Sequence, residues 1–146
     1  MKQYTHTQIG YLLIIVFSVA ILLISYLMFA KADFNPVAIF VLGFLILCLA
    51  AFAALTVEVD DQALDLKFGI GVIRKRFLLK EVEAYRAVKN PWYYGWGIHV
   101  IPNGWIFNVS GWEAVELQMK NGRKYRVGTD DAEGLANAVK ACLQKD

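Results

Sequence analysis

The chain has 146 residues, 58% of them hydrophobic and 19% charged, with a formal net charge of +2. That apolar share is too high for an ordinary soluble domain, and the near-neutral balance gives no electrostatic footprint for nucleic acid or for a strongly acidic substrate. Cys48 and Cys142 offer neither a disulfide framework nor metal-ligand spacing and read as two packed thiols.

Polarity is unevenly distributed. Of the 15 Lys and Arg residues only Lys2 and Lys31 precede Thr56, and of the 13 acids only Asp33 does. Residues 1–55 therefore read as a two-span transmembrane hairpin, and residues 56–146 as a domain of ordinary polarity attached to it. Residues 9–30 carry no charge, and as a helix they would be about 33 Å long, enough to cross a hydrocarbon core. Residues 36–55 form a second uncharged run of about 30 Å, with Pro36 suited to a helix's first turn. Ala30-Lys31-Ala32 imitates a signal-peptidase site, but the apolar run exceeds the roughly 7–15 residues of a signal-peptide core, and a second span follows at once, so cleavage is not expected.

The link from Lys31 to Asn35 is short enough to force an antiparallel hairpin, which puts the N-terminus and the C-terminal domain on one side. Lys2, Lys67 and Arg74-Lys75-Arg76 lie on that side, against Lys31 paired with Asp33 in the loop, so the positive-inside rule assigns it to the cytoplasm. The small residues Gly43, Ala50, Ala51, Ala53 and Ala54, with Ser18 and Ser25, suit close packing within the hairpin or association with further helices.

Beyond Leu55 the pattern turns to short β-rich segments separated by turn residues. Strands are expected at 56–59, 63–68, 72–77, 82–88, 97–101, 105–109, 114–119 and 124–128. Asn103-Gly104 and Asn121-Gly122 are typical hairpin turns, and Asp60-Asp61 suits another. A C-terminal helix over 131–144 follows from the spacing of Leu135, Ala138, Val139 and Cys142, with Asp130 as cap and Glu133 returning the bond. Antiparallel strands closed by one amphipathic helix suit a small mainly-β barrel or sandwich.

The stretches Asn90-Pro91-Trp92-Tyr93-Tyr94-Gly95-Trp96-Gly97, Gly104-Trp105-Ile106-Phe107-Asn108-Val109-Ser110-Gly111 and Gly128-Thr129-Asp130-Asp131, with Gly134-Leu135, carry a resemblance. They resemble membrane-anchored bacterial pleckstrin-homology-like domain proteins, as does the pair of spans ahead of the domain. The resemblance implies a seven-stranded, strongly bent barrel capped by the C-terminal helix, with two of the eight expected strands being one. It also implies a bacterial inner membrane as the location. It implies little chemistry, because a shared fold does not transfer function.

With almost no linker after Leu55, the first strand of the domain leaves the bilayer at once and the strands then alternate in direction. Counting turns places Phe68-Gly69-Ile70-Gly71, Pro91 to Trp96 and Ser110 to Trp112 at the membrane, and Asp60-Asp61, Asn103-Gly104 and Asn121-Gly122 away from it. Phe68, Ile70, Trp92, Tyr93, Tyr94, Trp96 and Trp112 are therefore candidate membrane-interface residues, since Trp and Tyr favour the headgroup region; the competing reading is that several of these rings fill the core. Lys67, Arg74 and Arg76 form the candidate site for anionic headgroups or a protein partner, against the alternative of a solvated strand face. Strand alternation sets Lys75 on the other side.

No catalytic, cofactor-binding or metal-ligating constellation emerges. His6 lies in what reads as an N-terminal tail and His99 within a strand. Ser110 lacks the Gly-x-Ser-x-Gly elbow, and Gly69-Ile70-Gly71 and Gly95-Trp96-Gly97 lack the rest of a dinucleotide fingerprint. The expected protein is a non-enzymatic, membrane-anchored binding or scaffold module acting at the cytoplasmic face, without a cofactor, whose partners are the lipid bilayer, its anionic headgroups or a membrane protein. The alternative is an accessory subunit or assembly factor docked into a larger membrane complex through its helical hairpin.

Overall fold

The computed structural model describes residues 2–145. Its first element is a strand, β1 (Lys2–Ile9), which pairs antiparallel with β2 (Ala54–Asp60) from Lys2 opposite Asp60 to Ile9 opposite Ala54. The two strands are joined by two helices, α1 (Tyr11–Lys31) and α2 (Pro36–Phe52). Gly10 alone lies between β1 and α1, and Ala53 alone between α2 and β2; the Gly10 amide donates to the Ala53 carbonyl at 2.8 Å. The helical hairpin is thus an insertion into the tip of a β-hairpin.

Local chemistry explains the helix ends. Ala32, at φ 48°, terminates α1, with the amides of Ala32 and Asp33 returning to the carbonyls of Phe29 and Met28. Asn35 caps α2 by accepting from the Val37 amide at 2.8 Å, and Pro36 takes the first helical position. α1 is long and apolar enough to cross a membrane and is scarcely buried by the rest of the chain. α2 is also apolar but has 17 residues, fewer than the run 36–55 suggests. Ala54 and Leu55 leave the helix because their backbones pair with Ile9 and Gln8 of β1, and Leu55 also with Phe68.

The N-terminus is therefore not a tail, and the division expected at residue 55 moves: residues 2–9 belong to the β-structure. β1 supplies β2 with an entire ladder of partners, so deleting residues 2–8 is expected to abolish cooperative unfolding of the protein in detergent, read by circular dichroism. A dispensable tail would leave the melting curve unchanged.

β3 (Ala63–Phe68) and β4 (Ile73–Leu78) complete the first sheet, in the order β1-β2-β3-β4. The second sheet is built from β5 (Val82–Lys89), β6 (Gly97–Ile101), β7 (Gly104–Asn108), β8 (Glu113–Met119) and β9 (Lys124–Gly128), in the order β5-β8-β9-β7-β6. All eight strands expected from the sequence are present and separate, and β1 makes nine among the described residues. The seven-stranded barrel implied by the resemblance is not what forms, since two sheets pack without closing. The hairpin β6–β7 is added beside β9, with β7 running parallel to it. There the backbones approach so closely that a Cβ on Gly104 would lie 1.5 Å from the Lys124 carbonyl oxygen, which leaves room only for glycine.

Alternation directs Leu55, Val57, Val59, Leu64, Leu66 and Phe68 of the first sheet onto Phe107, Val115, Leu117, Tyr125 and Val127 of the second. Phe77 ties the sheets together, its ring 4.7 Å from Tyr125 and 6.0 Å from Phe107. The C-terminal helix α3 (Ala132–Leu143) buries Ala132, Leu135, Val139 and Cys142 at helical spacing against this core. Its cap is Asp131, which accepts from the Gly134 amide at 3.0 Å, one residue later than the Asp130 and Glu133 box expected. Asp130 instead meets His6 of β1, and Asp131 also receives the Tyr4 hydroxyl at 2.9 Å, so β1 and α3 are fastened at this point. Burial first, and then Asp131, pushes the Tyr4 phenol above its usual range.

Candidate interface site

The turns of the sandwich sort into two ends. At the end from which the helices emerge, the Gly69 amide donates to the Ala54 carbonyl at 2.7 Å and the Ile70 amide to the Ala50 carbonyl at 3.4 Å, so the β3–β4 turn sits on the last turn of α2. Gln8 Nε2 donates to the Ser110 carbonyl at 2.6 Å, which brings the β7–β8 turn to the same end. The loop after β5 joins it, since the Asn90 amide donates to the Trp112 carbonyl at 2.6 Å and the Trp96 and Trp112 rings lie 5.5 Å apart. At the opposite end lie Asp60-Asp61, where Lys145 meets Asp61 at 3.0 Å, and the turns at Asn103 and Asn121. The aromatic loops and the polar turns thus occupy opposite ends, as counting strands from the sequence requires.

The residues named from the sequence differ in exposure. Trp92 (78% exposed), Ile70 (74%), Tyr93 (67%) and Trp112 (50%) are open, and Val72 beside them is as well. Tyr94 and Trp96 are half-buried supports, Tyr94 stacking with its ring 5.1 Å from the Arg126 guanidinium. Phe68 does not belong to the exposed set. It is wholly buried, because strand alternation aligns it with Leu64 and Leu66, and its ring packs edge-on against Phe52 at the end of α2.

Beneath these loops runs a polar network that local sequence patterns do not disclose. Glu116 on β8 is buried between two arginines on neighbouring strands, accepting from Arg126 Nε at 2.9 Å and from Arg86 at 2.8 Å. Burial alone would raise its carboxyl, but the hydrogen bonds from Arg126 and Arg86 outweigh burial and hold it below the usual carboxylate range. Arg126 also donates to Asn90 Oδ1 at 3.3 Å. Asn108 accepts from the Ser110 amide at 3.2 Å and donates to the carbonyls of Gly95 and Gly111, stapling the two aromatic loops together. Two buried asparagines and one ion-paired arginine therefore set the pose of the exposed rings.

The basic residues are brought together but not left free. Lys67 stands opposite Arg74 in register, and Arg76 opposite Asp65. Lys67 and Lys2 both bind Glu58 at 2.9 Å, while Arg76 lies 3.9 Å from Asp60 and 3.8 Å from Asp65. Arg74 donates to the Gly71 carbonyl at 2.8 Å. Lys67 first, then Lys2, holds the Glu58 carboxyl below its usual range, while Asp60 is lowered chiefly by the amides of Gln62 and Ala63. Three carboxylates interleaved with Lys2, Lys67 and Arg76 make this strand face a lattice of surface ion pairs, each contributing about 0–1 kcal/mol.

Among the described residues no group of three or more His, Cys, Asp or Glu side chains is placed to hold a metal ion. Comparison of the chain with family models, with curated proteins and with solved structures finds no match.

Proposed function

We propose that this chain is a membrane-anchored, non-enzymatic binding module of the bacterial pleckstrin-homology-like kind, in which α1 and α2 both cross the inner membrane and hold the β-sandwich against its cytoplasmic face. One observation carries the reading: the exposed rings Trp92, Tyr93 and Trp112, with Ile70, are gathered at the end of the sandwich from which the apolar helices leave. Rings with an apolar body and a polar edge are favoured where headgroups meet acyl chains. The orientation rests on Lys2 and the cations of β3 and β4, all on the sandwich side, against Lys31 in the interhelical loop. With Lys2, Lys67 and Arg76 engaged by Glu58, Asp60 and Asp65, contact with lipid runs through the rings, and Arg74 beside the β3–β4 turn adds the available charge.

Single-tryptophan variants of the full chain, reconstituted with lipids brominated near the headgroup, test this. Trp92 and Trp112 are expected to be quenched, and Trp105, at the far end, is not. Equal, weak quenching of all three removes the reading.

A second reading is an accessory subunit docked through its hairpin. It is favoured by Gly43 of α2, where an added Cβ would meet nothing within 4 Å, so this position is not consumed by packing on α1. Cross-linking from position 43 to another protein in native membranes would support it.

A further inference from the structure

Where α1 leaves the sandwich, an open groove of about 250 Å³ separates its first turns from the start of β6. Leu13 and Phe17, one helical turn apart on α1, form one wall; Phe52 closes the floor, and Trp96, Ile98 and His99 form the other wall. The lining is almost wholly apolar, and its one ionisable group is already engaged, since His99 Nε2 donates to the Trp96 carbonyl. A polar ligand would find nothing here to replace its hydration. The space, about 250 Å³, is below the roughly 300–1,000 Å³ typical of sites for whole drug-sized molecules.

The occupant is indicated by what the groove opens onto. Its helical wall is continuous with the exposed apolar surface of α1, where Ile15, Val16 and Val19 are uncovered by any other part of the chain. Trp96, which lines it, packs on Trp112 at the same end as the exposed Trp92. A molecule that is apolar and available along a membrane-crossing helix beside a tryptophan pair is a lipid tail. We infer that the groove takes one acyl chain of a membrane phospholipid, with Trp96 and His99 marking where the chain passes into its glycerol and headgroup. This inference rests on the membrane reading proposed above and adds to it a discrete site.

The test uses the full chain in nanodiscs of phosphatidylethanolamine and phosphatidylglycerol, doped with phosphatidylethanolamine carrying a diazirine on its acyl chain. Adducts are mapped by mass spectrometry after irradiation. They are expected to concentrate on Leu13, Phe17, Phe52 and Ile98, above the level on Val16 and Val19 of the same helix. Filling the groove by His99→Trp, or independently by Phe17→Trp, is expected to lower the groove adducts about tenfold, equivalent to about 1.4 kcal/mol of binding; adducts on Val16 and Val19 stay constant. The melting temperature of each variant is measured alongside, and a folded variant of either kind suffices. Uniform labelling around α1, or labelling that neither folded variant reduces, overturns the groove while leaving the membrane reading intact. Absence of label on the whole of α1 overturns the membrane reading as well.

Discussion

Gly69→Ala is expected to lower the unfolding temperature of the full chain in detergent by more than about 10 °C, from a loss of roughly 3 kcal/mol. Gly69 has φ 51°, a left-handed conformation that costs a side-chain-bearing residue about 1–3 kcal/mol. A Cβ at this position would also stand 2.0 Å from the Ala50 carbonyl oxygen and 2.6 Å from that of Ala51. These are backbone atoms at the end of α2 and cannot swing aside, so the β3–β4 turn must lift off the helix. Phe68 and Phe52 would then lose the edge-on contact that joins the core to the hairpin. Differential scanning calorimetry reads the loss, and hydrogen exchange localises it, with amides 66–73 released first. A melting temperature unchanged by the substitution would show that the turn is not seated on α2.

The second large effect is expected at the buried carboxylate. Arg126→Met keeps the stem of the side chain but leaves Glu116 buried with only Arg86, whose side chain is mostly in water. Removing one member of a buried pair costs about 3–5 kcal/mol, and the remaining arginine places the expected value at the lower end. The acid limb of stability shifts too. In the native chain Glu116 is ionised more readily than in the unfolded chain, so its contribution is fully present above the ordinary carboxyl value of 4.5 and is lost as pH falls through the lower folded value. Without Arg126, burial prevails, the folded carboxyl rises, and unfolding begins at a higher pH. Circular dichroism titration from neutral to acid pH distinguishes the two profiles. The double change Glu116→Leu with Arg126→Met is expected to recover much of the stability, because no charge then remains to be buried alone.

The sequence announced the strands after residue 55 well, because each combines alternation with a turn signal at its ends; Ala63–Phe68 and Lys124–Gly128 match residue for residue. β1 was hidden. Lys2-Gln3-Tyr4-Thr5-His6-Thr7-Gln8-Ile9 contains good strand formers in Tyr4, Thr5 and Thr7, but it has little apolar alternation, and its partner β2 lies beyond two helices. Phe68 was misplaced for the opposite reason. Its proximity to the Gly69 turn outweighed the period of two it shares with Leu64 and Leu66. The Glu116 network was illegible because its members become neighbours only through the registers Arg86 opposite Glu116 and Glu116 opposite Arg126, which no local pattern encodes. The same holds for the cations of β3 and β4, whose proximity was visible while the carboxylates that neutralise them, on β2 and β3, were not.

The insertion of the helices into the tip of the β1–β2 hairpin has a mechanical meaning. A domain hung from one strand of chain can swivel and drift, whereas here two strands of a single ladder run straight into two helices through one residue each, Gly10 and Ala53. Both legs are clamped at their root, so rotation of the sandwich about the helix axes is resisted by the ladder itself. A pull or twist applied at the distal turns is delivered to the helices as tilt rather than absorbed by slack.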